Sequence, residues 1–233
     1  EMQTQISAYA QAIDLKELWE LLEAETATIF SWQELAEFVE KTGIPIVMTV
    51  LGLGAFPADH PLCFDMLGMH GAVYANYAVN NADLLLALGV RFDDRVTGKV
   101  EAFAKHGKIV HVDIDASEFN KNVKADAPVL GDLKLVLNQL LPKVESNVHM
   151  DWLKFVDTLR AEHPLNPLPE SGELLPQQVL TELAQATRGE TIVVTGVGQH
   201  QMWAAQYCNF REPNTLITSG GLGSMGFEVP AAL

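Results

Sequence analysis

Apolar and polar positions along the 233-residue chain follow two different periods. Short apolar runs, Ile44–Val50, Leu84–Val90, Ile109–Ile114 and Val129–Leu130, alternate with stretches of helical repeat around Ala72–Asn80 and Leu133–Leu141. Brief apolar runs bounded by turn residues read as buried strands, and the i, i+3, i+4 spacing reads as an amphipathic helix. Two helix starts precede them. Asp14-Leu-Lys-Glu17 and Ser31-Trp-Gln-Glu34 have capping-box form, in which the first side chain accepts from backbone N–H groups and the glutamate reaches back. Gly43 closes the second helix, where glycine takes the left-handed conformation without a Cβ clash. Strand, helix, strand in series predicts right-handed crossovers and a twisted parallel sheet.

From Pro142 the texture changes. Glu145–Met150 is polar, Asp151–Glu162 has the helical period, and His163–Glu173 carries Pro164, Pro167 and Pro169, which predict an extended linker. A second α/β stretch follows: helix Pro176–Ala186, strand Glu190–Gly196, helix Gln201–Tyr207, strand Asn214–Thr218 and a glycine-rich turn. The expected organisation is an α/β domain over 1–143, a linker with one helix over 144–174, and the opening part of a second α/β domain over 175–233.

Composition narrows the function classes. Thirty acidic against 15 basic residues give a net charge of −15, which argues against nucleic acid as a partner. With 48% hydrophobic and 19% charged residues, a sizeable core can form. Cys63 and Cys208 are too few for a disulfide scaffold or a four-thiolate zinc site, and the histidines lack zinc-ligand spacing. No apolar run reaches the roughly 18 residues of a membrane span. The opening EMQTQISAYAQ lacks the basic and apolar regions of a signal peptide, and the first residue is Glu1. The expectation is a soluble intracellular chain taken from something longer.

Ligands of open parallel sheets bind beyond the carboxyl ends of the strands, and the candidate chemistry lies at such ends. Gly89, Val90, Arg91, Phe92, Asp93, Asp94 and Arg95 follow an apolar strand, offering a glycine for close approach and charged hydrogen-bonding groups. Asp113 and Ile114 close the next strand; an acid about 20 residues beyond a glycine turn resembles a ribose-binding carboxylate. Internal pairing of the loop charges, and a strand merely ending in solvent, explain the same residues without a ligand. Ser219-Gly-Gly-Leu-Gly-Ser-Met-Gly226 satisfies G-x-G-x-x-G, although such a turn can equally be only tight. Gln199 and His200, after Gly196 and Gly198, fall at a helix N-terminus, where backbone N–H groups and the dipole favour an anion.

Residues 51–99, LGLGAFPADHPLCFDMLGMHGAVYANYAVNNADLLLALGVRFDDRVTGK, resemble the central flavin domain of acetolactate synthase (acetohydroxyacid synthase) catalytic subunits. KIVHVDIDASEFNKN (108–122) and GDLK (131–134) continue that resemblance, while VTGVGQHQMWAAQY (194–207) and SGGLGSMGF (219–227) resemble the start of the family's thiamin-diphosphate domain. The implied fold is α/β, a DHS-like parallel twisted sheet that binds FAD, followed by an incomplete α/β thiamin-diphosphate-binding domain. The resemblance places Thr49, Val50, Leu67, Gly68, Met69 and His70 beside FAD, together with Gly89 to Arg95, Asp113, Ile114, Asp132 and Leu133. It places Gly220 and Gly221 in a turn approaching the flavin, Gln199 and His200 at the thiamin diphosphate phosphates, and Gly223, Ser224 and Met225 beneath the cofactor's bend.

The cofactors so implied are thiamin diphosphate, FAD and Mg²⁺. The activating glutamate and the metal ligands fall outside these residues, so no catalytic or metal-binding residue is expected here and the chain alone is expected to be inactive. The implied reaction is decarboxylation of pyruvate and condensation with a second 2-keto acid, such as 2-ketobutyrate, in branched-chain amino acid biosynthesis. The implied partners are a second copy in a homodimer or larger assembly and a regulatory subunit, with no nucleic acid or membrane; the location is cytoplasmic, or a plastid or mitochondrion. Two departures stand out: Thr26-Ala-Thr-Ile-Phe30 replaces a glycine-ended strand, and Glu228 replaces a glycine in the family's G-F-G-L-P pattern. The alternative is a stand-alone FAD- or nucleotide-binding module without catalysis.

Overall fold

The computed structural model describes residues 32–165, 172 and 174–233. The helix expected at Asp14, the cap at Ser31, the segment Thr26–Phe30 and Pro167 and Pro169 of the expected linker lie outside the described residues. In chain order the elements are α1 (Trp32–Thr42), β1 (Ile46–Met48), β2 (Cys63–Met66), α2 (Val73–Asn81), β3 (Leu84–Leu88), α3 (Asp94–Thr97), β4 (Lys108–Asp113) and β5 (Ala127–Leu130). They continue as α4 (Leu133–Leu140), α5 (Met150–Glu162), α6 (Pro176–Thr187), β6 (Val193–Thr195), α7 (Gln199–Tyr207), β7 (Leu216–Thr218) and α8 (Glu228–Ala231).

Every strand pairing among the described residues is parallel: β1 with β2, β4 between β3 and β5, and β6 with β7. Several strands are shorter than the apolar runs predict. Ile44–Val50 narrows to β1, because Pro45 lacks a ladder donor and Gly52 N–H closes onto the Thr49 carbonyl (2.9 Å), turning Val50–Gly52 into a 3₁₀ turn. Glu190–Gly196 narrows in the same way to β6. Strand β2 has no counterpart in the predicted set.

The chain packs as two compact units. Among the described residues, one contains those from Trp32 to Gly43 with Asn76–Val148, and the other Ile44–Ala75 with those from His149 onward. In the first unit Val110, Val112, Ala127, Val129 and Val136 form a core, flanked by Leu84, Leu86, Leu88, Leu133 and Leu140. Helix α1 buries Leu35, Phe38, Val39 and Thr42, the i, i+3, i+4, i+7 stripe of an amphipathic helix. It is tied to α4 at both ends. Lys134 pairs with Glu34 at 3.3 Å, and Lys41 Nζ donates to the Leu141 carbonyl at 2.5 Å, placing a cation at the negative end of α4. Gly43 takes φ +66° as the turn requires, and a Cβ there would overlap the Asn147 carbonyl.

In the second unit Arg160 on α5 secures β2. Its guanidinium donates to the Cys63 carbonyl (2.9 Å) and lies 5.0 Å from the centroids of both the Phe64 and Tyr74 rings. Tyr74 Oη donates to Asp65, and burial pushes the Cys63 thiol up to about 11, so this thiol stays protonated.

Candidate functional site

Because β3, β4 and β5 are parallel, the segments that follow them emerge on one edge of the first unit, where open α/β sheets bind ligands. Gly89 N–H donates to the Val112 carbonyl (2.8 Å) and Gly131 N–H to the Asp113 carbonyl (3.0 Å), which holds the three exits in step. The edge gathers Gly89 to Arg95, Asp113 and Ile114, and Asp132 and Leu133, all singled out from sequence. Gly89 has φ +64°, and nothing lies within 4 Å of where a Cβ would sit. The backbone is therefore open to close approach from outside.

The acids at this edge do different work. Asp93 caps α3 by accepting from the N–H groups of Arg95 (3.0 Å) and Val96 (3.1 Å), and Asp132 caps α4 by accepting from Lys134 (2.9 Å) and Leu135 (3.2 Å). Arg91 reaches Asp93 at 3.4 Å and Arg95 reaches Asp94 at 3.3 Å, both as exposed pairs. Such pairs contribute about 1 kcal/mol or less, so an incoming anion can take over either guanidinium. Ile114 is 66% exposed. Asp113 Oδ1 accepts from Asp115 N–H (2.9 Å), leaving Oδ2 as its second acceptor.

Phe92, within the segment expected to line a ligand, turns its ring inward. It is buried at φ +51°, an uncommon backbone for a bulky residue, and packs edge-on against His111 (5.0 Å between centroids) and Phe103 (5.9 Å). Two residues not singled out from sequence complete the edge. Asn122 Nδ2 donates to the Arg91 carbonyl at 3.1 Å, holding the glycine loop. His111, on β4, is 0% exposed, packs edge-on against Phe119 at 5.2 Å, and brings Nε2 to 3.7 Å from Asp113 Oδ2. Neither ring nitrogen makes a hydrogen bond, an arrangement that costs about 1–3 kcal/mol.

Burial holds His111 below the usual histidine range, against the opposing pull of Asp113, the Val90 backbone and Glu118. The unfolded chain therefore binds the His111 proton more readily than the folded one. This contribution to stability is complete above the unfolded histidine pKa of about 6.5 and is lost as pH falls below it. Urea midpoints from pH 8 to pH 5 are expected to fall in that range, with a shallower fall in His111→Leu; equal slopes would contradict it.

The second unit brings together the remaining predicted residues in two groups. Leu67 N–H donates to the Met48 carbonyl (3.0 Å), and Gly71 N–H to the Gly68 carbonyl (3.0 Å), so Leu67, Gly68, Met69 and His70 form a tight turn. Gln206 Nε2 donates to the His70 carbonyl at 2.7 Å. Thr49 and Val50 lie on the 3₁₀ turn, and Gly220 packs against it: a Cβ on Gly220 would lie 2.7 Å from Leu51 Cδ2 and 3.6 Å from Val50 Cγ1.

The other group surrounds the N-terminus of α7. Gln199 and His200 fall in its exposed first turn, two residues earlier than the predicted helix start, and Gly198 caps it without a side chain. Gln201 Nε2 donates to Thr218 Oγ1 (2.7 Å), which also accepts from Thr195 Oγ1 (2.9 Å), joining this turn to the ends of β6 and β7. Gly221 and Gly223 have open space where a Cβ would stand, Ser224 N–H donates to Ser219 Oγ (3.0 Å), and Met225 is 81% exposed. Glu228 brings a carboxylate to this turn. Its carboxylate lies against Gly196, where a Cβ would overlap it, and its Oε2 is buried without a hydrogen-bond partner.

Among the described residues no group of three or more His, Cys, Asp or Glu is placed to hold a metal ion, and no helix is long and apolar enough to cross a membrane.

A chain with a parallel α/β edge of this kind and a later glycine-rich turn matches a known class. The family model described as "Thiamine pyrophosphate enzyme, central domain" matches residues 24–140, and "Thiamine pyrophosphate enzyme, C-terminal TPP binding domain" matches residues 196–233. The chain belongs to the thiamine pyrophosphate enzymes. Within that family it is similar to acetolactate synthases. It is 53% identical over 208 residues to acetolactate synthase 1, chloroplastic, of Zea mays, covering 87% of this chain and 33% of that protein. It is 51% identical over 209 residues to acetolactate synthase 1, chloroplastic, of Nicotiana tabacum, and 49% identical over 209 residues to acetolactate synthase, chloroplastic, of Arabidopsis thaliana. Each of these alignments covers 87% of this chain and 31% of the relative. The chain thus spans about a third of the length of the curated relatives it matches.

Proposed function

We propose that the chain is part of a thiamin-diphosphate-dependent acetolactate synthase, and that the strand edge of its first unit binds FAD. The observation that carries the FAD assignment is the shared exit of β3, β4 and β5, where an open Gly89, a strand-end Asp113 and two loosely paired arginines lie on the exiting segments. These residues suit a flavin dinucleotide. Gly89 admits the diphosphate backbone, Arg91 and Arg95 neutralise its oxygens, and Asp113 Oδ2 accepts a ribose hydroxyl. Thr49, Val50, Leu67 to His70, Gly220 and Gly221 are assigned to the same cofactor by resemblance.

The α7 turn suits an anion at Gln199 and His200 but not beside Glu228, so as it stands it does not fit a diphosphate. No residue of the chain is assigned a reaction step. In the whole enzyme thiamin diphosphate would supply the electron sink for decarboxylating pyruvate before condensation with a second 2-keto acid such as 2-ketobutyrate. Gly223, Ser224 and Met225 are assigned to it, with Mg²⁺ as its metal.

In this reading residues 1–143 are the flavin domain, 144–174 the linker and 175–233 the start of the thiamin-diphosphate domain. The assembly is a homodimer or larger, served by a regulatory subunit. The plant relatives' names place those proteins in chloroplasts, which supports a plastid location, with the cytoplasm as the bacterial counterpart.

Titration with FAD tests the assignment. Flavin fluorescence should be quenched on adding the chain, and the melting temperature should rise with FAD concentration, since a ligand of the native state stabilises it by mass action. Asp113→Asn should weaken binding about tenfold, the order of one charge-assisted hydrogen bond. A melting temperature indifferent to FAD contradicts the assignment.

A further inference from the structure

His111 is the one fully buried polar side chain of the first unit's edge that the flavin assignment does not use. The position lies between Val110 and Val112 on the central strand, where an aliphatic side chain would suffice to fill the core. Instead an imidazole at 0% exposure stands with neither nitrogen in a well-formed hydrogen bond. Such groups are rare in folded proteins and call for a specific reason.

The ring is wedged. Phe92 meets it at 76° and Phe119 at 90°, both edge-on, and Phe92 holds a left-handed backbone to do so. A ring gripped on two sides cannot swing toward a partner, so its partners must come to it. Two acceptors face it: Asp113 Oδ2, at 3.7 Å from Nε2, and the backbone of Val90. These belong to the ends of two neighbouring strands, and both residues lie at the candidate flavin edge. Asp113 Oδ1 is already taken by Asp115 N–H, so Oδ2 is the atom that His111 and a ligand hydroxyl both address. The other titratable group facing the ring is Glu118, whose Oε1 is held by Lys121 at 2.7 Å.

We infer that His111 is a positioning residue beneath this edge, whose single N–H holds the Asp113 carboxylate in the orientation that a ligand hydroxyl meets. A proton on Nε2 faces the carboxylate. At 3.7 Å the pair is longer than a direct hydrogen bond, and a small turn of the Asp113 side chain closes it without moving the ring. The identity of the ligand rests on the flavin reading; the coupling of His111 to Asp113 does not.

The test uses the full chain labelled with ¹⁵N-histidine, with Asp113→Asn, His111→Phe, His111→Gln and the double variant His111→Phe/Asp113→Asn. In the ligand-free chain, Asp113→Asn should shift the His111 ring ¹⁵N signals and its tautomer balance. FAD dissociation constants should rise about tenfold in His111→Phe and stay within about twofold of wild type in His111→Gln, which keeps an N–H donor. The double variant should bind no more weakly than Asp113→Asn alone, because both changes break one linkage. Ring signals indifferent to Asp113→Asn overturn the proposal, and so does unchanged FAD affinity in a folded His111→Phe. If wild type itself binds no FAD, the flavin reading fails and the ring signals alone decide the coupling. They decide it equally if His111→Phe does not fold.

Discussion

Replacing Glu228 with glycine is expected to tighten binding of thiamin diphosphate to the chain at least tenfold. The buried Glu228 Oε2 has no hydrogen-bond partner, and the carboxylate lies against Gly196, in the turn that leads into the N-terminus of α7. That terminus favours anions, through its dipole and through a glycine cap that offers no competing side chain. Like charges brought close together at an effective dielectric of about 20 repel by a few kcal/mol. Screening at a partly exposed site reduces this, leaving one to two powers of ten in affinity. Glu228→Gln separates the causes: it removes the charge and keeps the volume, so it should recover most of the gain. Calorimetric titration with thiamin diphosphate and with inorganic pyrophosphate, at low salt and at about 0.15 M, reads both variants. If neither binds more tightly than wild type, Glu228 does not oppose an anion at this turn.

Gly89→Val is expected to weaken FAD binding about a hundredfold or more while lowering stability by only about 1–2 kcal/mol, the cost of a side chain in the left-handed region. The separation follows from the surroundings. No atom lies within 4 Å of a Cβ at Gly89, so valine meets nothing inside the protein, and its bulk stands where the ligand must come. Gly107 provides the contrast. A Cβ there would overlap the Ala82 carbonyl, so Gly107→Ala should destabilise the fold without any special effect on a ligand at the edge. Urea denaturation and flavin fluorescence on the same samples distinguish the two. A folded Gly89→Val that binds FAD like wild type removes Gly89 from the site.

The strands that carry the edge could be read directly from sequence. The apolar runs Leu84–Val90 and Ile109–Ile114 fold as strands Leu84–Leu88 and Lys108–Asp113, and the glycine and the acid near the ends of those runs lie at the exits. The helix after β5 was legible because its apolar positions repeat with the helical period, whereas its cap by Asp132 is a finding of the fold. Strand β2 was not. Cys63-Phe-Asp-Met66 follows Pro61, includes Asp65 at φ +58°, and is held by Arg160, a residue far away in sequence. His111 was hidden for a related reason, since a histidine within an apolar run carries no local signal. Its meaning comes from Phe92, Phe119 and Asp113, which only the folded edge brings around it. Asn122 is similar, reaching the Arg91 carbonyl across 31 residues. Glu228 was legible as a departure from a glycine pattern, whereas its packing on Gly196 depends on the chain returning from α8 to β6.

Amide hydrogen exchange of the chain with and without saturating FAD tests the central claim most directly. Slower exchange is expected over 89–95, 113–115 and 131–133, the three exits of β3, β4 and β5, because a bound flavin covers their backbone. Exchange unchanged in all three segments, at FAD concentrations that quench flavin fluorescence, would contradict the assignment of this edge as the flavin site.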